Sequence, residues 1–194
     1  MKAKNSYKGI LRFIILIPHR DAANQLAAYR EKLFSLGANG AHSFPLAAPI
    51  ARVSRPLTKE ELKELAGIIR DFTKENDGKF LCNGVSVMQS AGEFSFYGPP
   101  LILGGREKAI SRSLRDKILK TFMPPVLCAA IIEQERATPE KNFLSEEAPI
   151  LSFRAAALAN LSVRPLEEGV TEYSFEWRMG PLVWLPSYKK VKNV

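Results

Sequence analysis

Histidine and cysteine, two residue types that carry much of protein chemistry, are scarce in this chain. Its 194 residues include two of each: His19 and His42, Cys82 and Cys128. The cysteines lie far apart in apolar surroundings, and neither has the short Cys or His spacing of a zinc site or a redox pair. The sequence therefore predicts buried, reduced thiols and no metal site.

Long apolar runs are missing as well. None approaches the roughly 20 residues that a membrane-spanning helix needs. The opening residues 1–6 lack the apolar region and cleavage pattern of a signal peptide. A hydrophobic content of 46% and a charged content of 25% are typical of a globular protein. We therefore expect one cytoplasmic domain covering residues 1–194, with no membrane partner.

The charge of the chain is strongly positive, with a formal net value of +8. Such an excess attracts anions and favours partners that carry phosphate groups, such as nucleotides or RNA. Six lysines near the two ends of the chain account for six of the eight excess charges: Lys2, Lys4, Lys8, Lys189, Lys190 and Lys192. The remaining net charge of +2 is only a weak indication of a basic face inside the fold.

Strand and helix patterns alternate along the first half of the chain. Residues 11–17 are nearly all apolar and end at Pro18, which predicts a central strand buried on both faces. We expect Asp21 to cap the following helix, which ends at Gly37.

A second strand is predicted over residues 42–53. Pro45 and Pro49 interrupt it, so it should be an edge strand or a bulged one. Thr58 and Glu61 then have the spacing of a capping box, which starts an amphipathic helix.

The second half repeats this plan with different chemistry. A strand over residues 94–103 and a helix over residues 107–122 lead to the segment 124–129, which matches the segment 41–46 of the first copy. The first segment carries His42, whereas the second offers only Val126 and Cys128. Two long strands, over residues 150–163 and 171–185, are predicted to close the chain.

The order of these elements, from about residue 11 to residue 185, resembles the 2H phosphoesterase superfamily, which includes 2′–5′ RNA ligase-like proteins and cyclic phosphodiesterases. The matching segments are residues 13–18, 41–44 and 125–128, the strands over 79–96, and the helices that begin at Thr58 and Glu107. The resemblance implies an α/β (α+β) fold with two lobes. Each lobe would contain a strand-helix-strand unit, and antiparallel or mixed sheets would flank a central cleft.

The resemblance also implies a catalytic arrangement that this chain keeps only in part. Active members place a His-x-Thr or His-x-Ser motif from each lobe into the cleft, so that one imidazole acts as base and the other as acid. By this comparison His42 is the first catalytic histidine. We expect Ser43 and Arg52 to help it by binding the phosphate. The hydroxyl position of this motif, two residues after His42, is Phe44. Only Ser43 offers a hydroxyl here, and on a strand it should face the other way.

The second motif is degenerate, since Val126 stands at its histidine position and Cys128 at its hydroxyl position. His19, just after the first strand, is expected to be a loop residue without a catalytic role. The resemblance implies no cofactor. Two functions stay open: a divergent phosphoesterase that binds or processes a nucleotide or RNA end, and a noncatalytic binding or scaffold protein that keeps the fold.

Overall fold

The computed structural model describes residues 9–35, 45–76, 78–81, 87–90, 94–98, 101–102, 104, 106–113, 118–121, 130–132, 150–165 and 173–185. Within these ranges the helices are α1 (Arg20–Ser35), α2 (Lys59–Glu75) and α3 (Arg106–Ser113). The strands are β1 (Gly9–Pro18), β2 (Ala48–Val53), β3 (Lys79–Leu81), β4 (Val87–Ser90), β5 (Phe94–Gly98), β6 (Ile118–Thr121), β7 (Ala130–Ile132), β8 (Ile150–Pro165), β9 (Tyr173–Met179) and β10 (Val183–Trp184).

These strands form two antiparallel sheets. The larger sheet has the order β10-β8-β1-β2-β6, and β3 and β9 also pair with β8. The smaller sheet has the order β4-β5-β7. The predicted mixture of helices with antiparallel sheets is confirmed.

Strand β1 lies between β2 and β8 and is buried on both faces. Phe13, Ile14, Ile15 and Leu16 all have 0% of their surface exposed. Because neighbouring residues of a strand point to opposite faces, this burial requires cover on both sides of the sheet. The prediction of a central strand is confirmed.

Strand β2 differs in part from the expected one. It pairs with both β1 and β6, so it is not an edge strand, and it carries a bulge where Ile14 faces Ala51 and Ile15 faces Pro49. The bulge lies beside a proline, which has no N–H group to donate to the ladder. The strand begins only at Ala48, because residues 45–47 are not in strand conformation. The predicted start at His42 lies outside the described residues.

Helix α1 begins one residue earlier than the proposed cap. The Ala23 N–H donates to the His19 carbonyl at 2.8 Å, which makes His19 the N-cap residue. The expectation for Asp21 was wrong, because Asp21 lies in the first turn of the helix. A carboxylate there still interacts favourably with the helix dipole.

The capping box of α2 is confirmed. The Thr58 N–H donates to Glu61 Oε2 at 2.8 Å, and the Glu61 N–H donates to Thr58 Oγ1 at 3.3 Å. Arg55 adds an ion pair to Glu61 at 3.0 Å. These contacts satisfy two backbone N–H groups at the start of the helix.

We expect Thr58→Ala to lower the free energy of unfolding by about 1 kcal/mol, because it removes the side-chain acceptor of the cap. Urea unfolding monitored by circular dichroism measures this loss. Thr58→Ser keeps the hydroxyl and should stay close to the wild type. Equal loss in both variants would show that the methyl group, and not the cap, stabilises this site.

The helices pack on one face of the larger sheet. The apolar cluster between the two layers combines side chains from β1, β2 and β8 with side chains from all three helices: Ile14, Leu16, Ala22, Leu26, Val53, Leu65, Ile69, Ile110, Phe153 and Leu158. We call this side the helix face of the sheet. Ile14 and Leu16 project to it, whereas Phe13 and Ile15 project to the opposite face.

The two strand-helix units are only partly alike. In the first, β1 and β2 flank α1 and pair with each other. In the second, β5 precedes α3 and pairs with β7. Strand β6 follows α3 and leaves this unit, because it pairs with β2 in the larger sheet. The predicted helix over residues 107–122 is therefore too long, since α3 ends at Ser113.

The last two predicted strands have different outcomes. The first, over residues 150–163, is observed as β8, which ends at Pro165. The second, over residues 171–185, is observed as two strands, β9 and β10, with residues 180–182 between them outside strand conformation.

Candidate functional site

Most residues of the predicted site lie outside the described part of the chain. His42 and Ser43 precede Pro45, and Val126 and Cys128 lie between β6 and β7. The placement of these side chains stays a prediction. Arg52 is the one proposed phosphate-binding residue that the structure describes.

Arg52 lies on β2, where its backbone faces Phe13 of β1 and Lys120 of β6. Its neighbours Ala51 and Val53 belong to the cluster on the helix face. The side chain of Arg52 therefore projects to the opposite face of the sheet, together with Phe13, and it is partly exposed.

On this face Arg52 is paired with an apolar residue of β1, Phe13, and with a basic residue of β6, Lys120. Phe13 is fully buried, and its ring lies 6.0 Å from the ring of Trp177 on β9. Arg52 is also the only charged residue in β2. A guanidinium beside apolar surface can bind a phosphate with two parallel hydrogen bonds, in surroundings of low polarity that strengthen the attraction.

Arginine cannot perform the proton transfers of phosphoester chemistry, because its guanidinium stays protonated in proteins. The other residues of β2 are alanine, proline, isoleucine and valine. This strand therefore supplies a cationic group, and an acid or a base for such chemistry must come from elsewhere.

His19 has a structural role in the described fold. Its N–H donates to the Ser152 carbonyl at 2.9 Å, and its own carbonyl caps α1. A cavity of about 230 Å³ near this end of β1 is lined by residues that include Asp21, Lys79 and Ser152. The lining carries the negative charge of Asp21 and the positive charge of Lys79, so it shows no preference for an anion.

A groove of about 380 Å³ lies between α2 and α3. Its charged lining residues are Asp71, Lys74, Glu75 and Arg106, and Arg106 forms an ion pair with Glu75. Two of these residues are acidic and two are basic, so the groove shows no preference for an anion or a cation.

A polar row on the helix face was not predicted from the sequence. Arg12 of β1 faces Asn160 of β8, and Asn160 faces Arg178 of β9. The sequence feature that could have indicated this row is a single charged residue, Arg12, inside the apolar pattern of β1. Only the pairing of the strands brings these three residues into one line.

The described residues provide neither a metal centre nor a membrane-spanning helix. They contain no group of three or more His, Cys, Asp or Glu residues that could hold a metal ion. Among the same residues, no helix is long and apolar enough to cross a membrane.

No family model, curated protein or solved structure matches this chain.

Proposed function

We propose that this protein is a divergent 2H phosphoesterase-like protein that binds a phosphate-bearing nucleotide or RNA end. His42 is its remaining motif histidine, and Ser43 and Arg52 bind the phosphate. The observation that supports the proposal most directly is Arg52. This residue is partly exposed on a strand whose other residues are apolar, and it lies on the face opposite the helices.

The arrangement of strands gives further support. A strand-helix-strand unit in which β1 and β2 pair antiparallel is the plan that the resemblance implies. The pairing of β5 with β7 around α3 repeats part of it. Two such units are the framework on which a cleft between lobes would form.

The chemistry available to such a site is limited by its single motif histidine. One imidazole can take a proton from an attacking oxygen or give one to a leaving oxygen, but it cannot do both in the same step. Val126, at the histidine position of the second motif, has no proton to transfer, and Cys128 stands at its hydroxyl position. We therefore expect slow turnover, with a strained cyclic phosphate as the most favourable substrate.

A noncatalytic binding protein is the second candidate. It is favoured by the structure of β2, which starts at Ala48 and whose residues include no acid or base. In this case Arg52 would still bind a phosphate.

Turnover of a 2′,3′-cyclic nucleotide, and of a short RNA with a cyclic phosphate end, tests the proposal. If His42 acts as acid or base, His42→Ala should lower kcat on the order of 10²- to 10⁴-fold. His19→Ala is the matched control, because His19 is the only other histidine and caps α1 through its backbone. It should leave kcat unchanged.

Arg52→Gln separates binding from chemistry. If Arg52 holds the phosphate in the ground state and in the transition state alike, the variant should raise KM and leave kcat nearly unchanged. Binding of the nucleotide without turnover in the wild type would favour the noncatalytic candidate. If the wild type shows neither binding nor turnover, both candidate functions are contradicted.

A further inference from the structure

One edge of the larger sheet carries an exposed apolar segment. Residues 179–184, from the end of β9 to β10, are methionine, glycine, proline, leucine, valine and tryptophan, and none of the six is buried. Met179 and Trp184 are both 58% exposed, and Leu182 is exposed as well. Single exposed apolar residues are normal on a protein surface, whereas a contiguous group of them marks a place of interaction. We call residues 179–184 the apolar edge.

The backbone of the apolar edge is held in place by β8. The Gly180 N–H donates to the Leu158 carbonyl at 2.8 Å, and the Leu185 N–H donates to the Arg154 carbonyl at 2.8 Å. Between these two bonds, β10 pairs with β8. Both ends of the segment are therefore fixed to a central strand, so the fold presents these apolar side chains to solvent at a defined place.

Basic side chains lie at both ends of the apolar edge. Arg178 precedes it, is exposed, and forms an ion pair with Glu176 at 2.9 Å. At the other end Arg70 of α2 donates from its Nε to the Trp184 carbonyl at 3.2 Å. Arg154, which is also exposed, accepts the backbone hydrogen bond of the residue after Trp184. These contacts place three arginines and one carboxylate beside the segment, so the local charge is positive.

Charge distinguishes between the partners that such a surface could have. A second copy, docked edge to edge about a two-fold axis, would bring Arg178 of one copy close to Arg70 of the other, and these charges repel. RNA could stack on Trp184, but it would find no hydrogen-bonding side chain over residues 179–183. Residues 186–194, next in the sequence, add three lysines and no acidic residue. Apolar side chains with cations around them match a surface of anionic lipids.

We propose that the apolar edge docks this protein on the surface of a membrane that contains anionic lipids. Its apolar side chains enter the boundary between headgroups and hydrocarbon, with the ring of Trp184 at the level of the headgroups. Arg70 and Arg178 contact the anionic headgroups. The expectation of no membrane partner rested on the lack of a spanning segment, which a peripheral contact does not need. The edge is separate from the proposed phosphate site on β2, because β8 and β1 lie between β10 and β2.

Sedimentation with lipid vesicles tests the inference. The probes are vesicles of phosphatidylcholine alone, vesicles in which about a third of the lipid is phosphatidylserine, and a single-stranded RNA. We expect the full chain to bind the anionic vesicles about 10-fold or more tightly than the neutral ones, because each basic residue near the surface adds to the attraction. This binding should weaken as the salt concentration rises. Equal binding to both kinds of vesicle, binding to neither, or binding of RNA alone would overturn the proposal.

The double variant Trp184→Ser with Leu182→Ser removes the apolar contact. It should bind the anionic vesicles about 10-fold or more weakly, because less apolar surface leaves water. Leu81→Ser is the matched control, since Leu81 is 53% exposed. It pairs with Ile150, whereas Trp184 pairs with Ala155, five residues or about 16 Å further along β8. The control should bind as the wild type does, and an equal loss in both proteins would contradict docking at this edge.

Neutralising the arginines tests the electrostatic part. Arg70→Gln and Arg178→Gln should each weaken binding to the anionic vesicles about 5-fold. Lys59→Gln is the matched control, because Lys59 is an exposed cation on the same helix as Arg70 but about 16 Å away along its axis. This distance exceeds the range of an exposed charge at physiological salt, so Lys59→Gln should bind as the wild type does. Equal losses in the three variants would show that only the net charge of the chain matters, which would overturn the assignment to this edge.

Tryptophan fluorescence reports directly on the proposed contact. The chain contains two tryptophans, so Trp177→Phe leaves Trp184 as the only emitter and keeps an aromatic ring near Phe13. On vesicles with brominated phospholipids, the emission of Trp184 should shift to shorter wavelength and be quenched. Unchanged emission from vesicle-bound protein would show that Trp184 stays in water, which would contradict the proposal. His42→Ala should bind vesicles as the wild type does, so the outcome does not depend on the proposed phosphoesterase function.

Discussion

Replacing Phe153 with alanine is expected to lower the free energy of unfolding by about 3–5 kcal/mol. Phe153 is 1% exposed on β8, and its ring meets that of Phe80 on β3 edge to face, with 4.9 Å between the ring centroids. The substitution removes the buried ring and leaves a cavity at the contact between these strands. Since small proteins have about 5–15 kcal/mol of stability, the loss is a large share of the total.

Urea unfolding of Phe153→Ala measures this effect, with Phe34→Ala as the control. Phe34 is on α1 and 46% exposed, so its replacement should change stability by less than about 1 kcal/mol. A double-mutant cycle with Phe80→Ala gives the coupling of the two rings, which we expect to be about 0.5–1.5 kcal/mol. Similar losses for Phe153 and Phe34 would contradict the packing described here.

A carboxylate at position 14 should destabilise the protein by a comparable amount. Ile14 is fully buried among apolar side chains on the helix face. Ile14→Asp places a charge there without a partner, which costs about 3–5 kcal/mol. Ile10→Asp is the matched control, because Ile10 lies on the same face of the same strand but is 54% exposed. It should be nearly neutral.

The loss in Ile14→Asp should depend on pH in a defined direction. Burial raises the pKa of a carboxyl group in the folded state above its unfolded value of about 3.9. At pH 3 the group is protonated in both states, so the charge contributes nothing to the loss. The loss should grow as the pH rises above about 4, because the unfolded state releases its proton first. A difference from the wild type that stays constant between pH 3 and pH 7 would show that the introduced carboxyl group reaches solvent.

Local patterns predicted the parts of the fold that depend on neighbouring residues. The apolar run over residues 11–17 became the buried strand β1, because an unbroken apolar sequence can be buried on both faces of a sheet. Thr58 and Glu61 formed the expected cap, because the contacts of a capping box join residues three positions apart.

Prediction failed where distant pairing decides the local structure. Residues 118–121 were expected to extend α3, but they form β6 because β2 offers them a partner. The predicted strand over residues 171–185 breaks at Gly180, whose N–H donates to the Leu158 carbonyl. In both cases the partner lies far away in the sequence. The local pattern of each segment therefore gave no indication of the pairing.

The sequence by itself determined the class of the fold, the position of its central strand, the capped helix α2, and the scarcity of histidine. These follow from composition, from the burial of apolar runs and from contacts within one turn of a helix. Only the tertiary structure decided which arginine faces which side of the sheet. Arg12 and Arg52 both lie on strands of apolar pattern, and it is the register of β1 with β2 and β8 that places them on opposite faces and sets Arg12 beside Asn160.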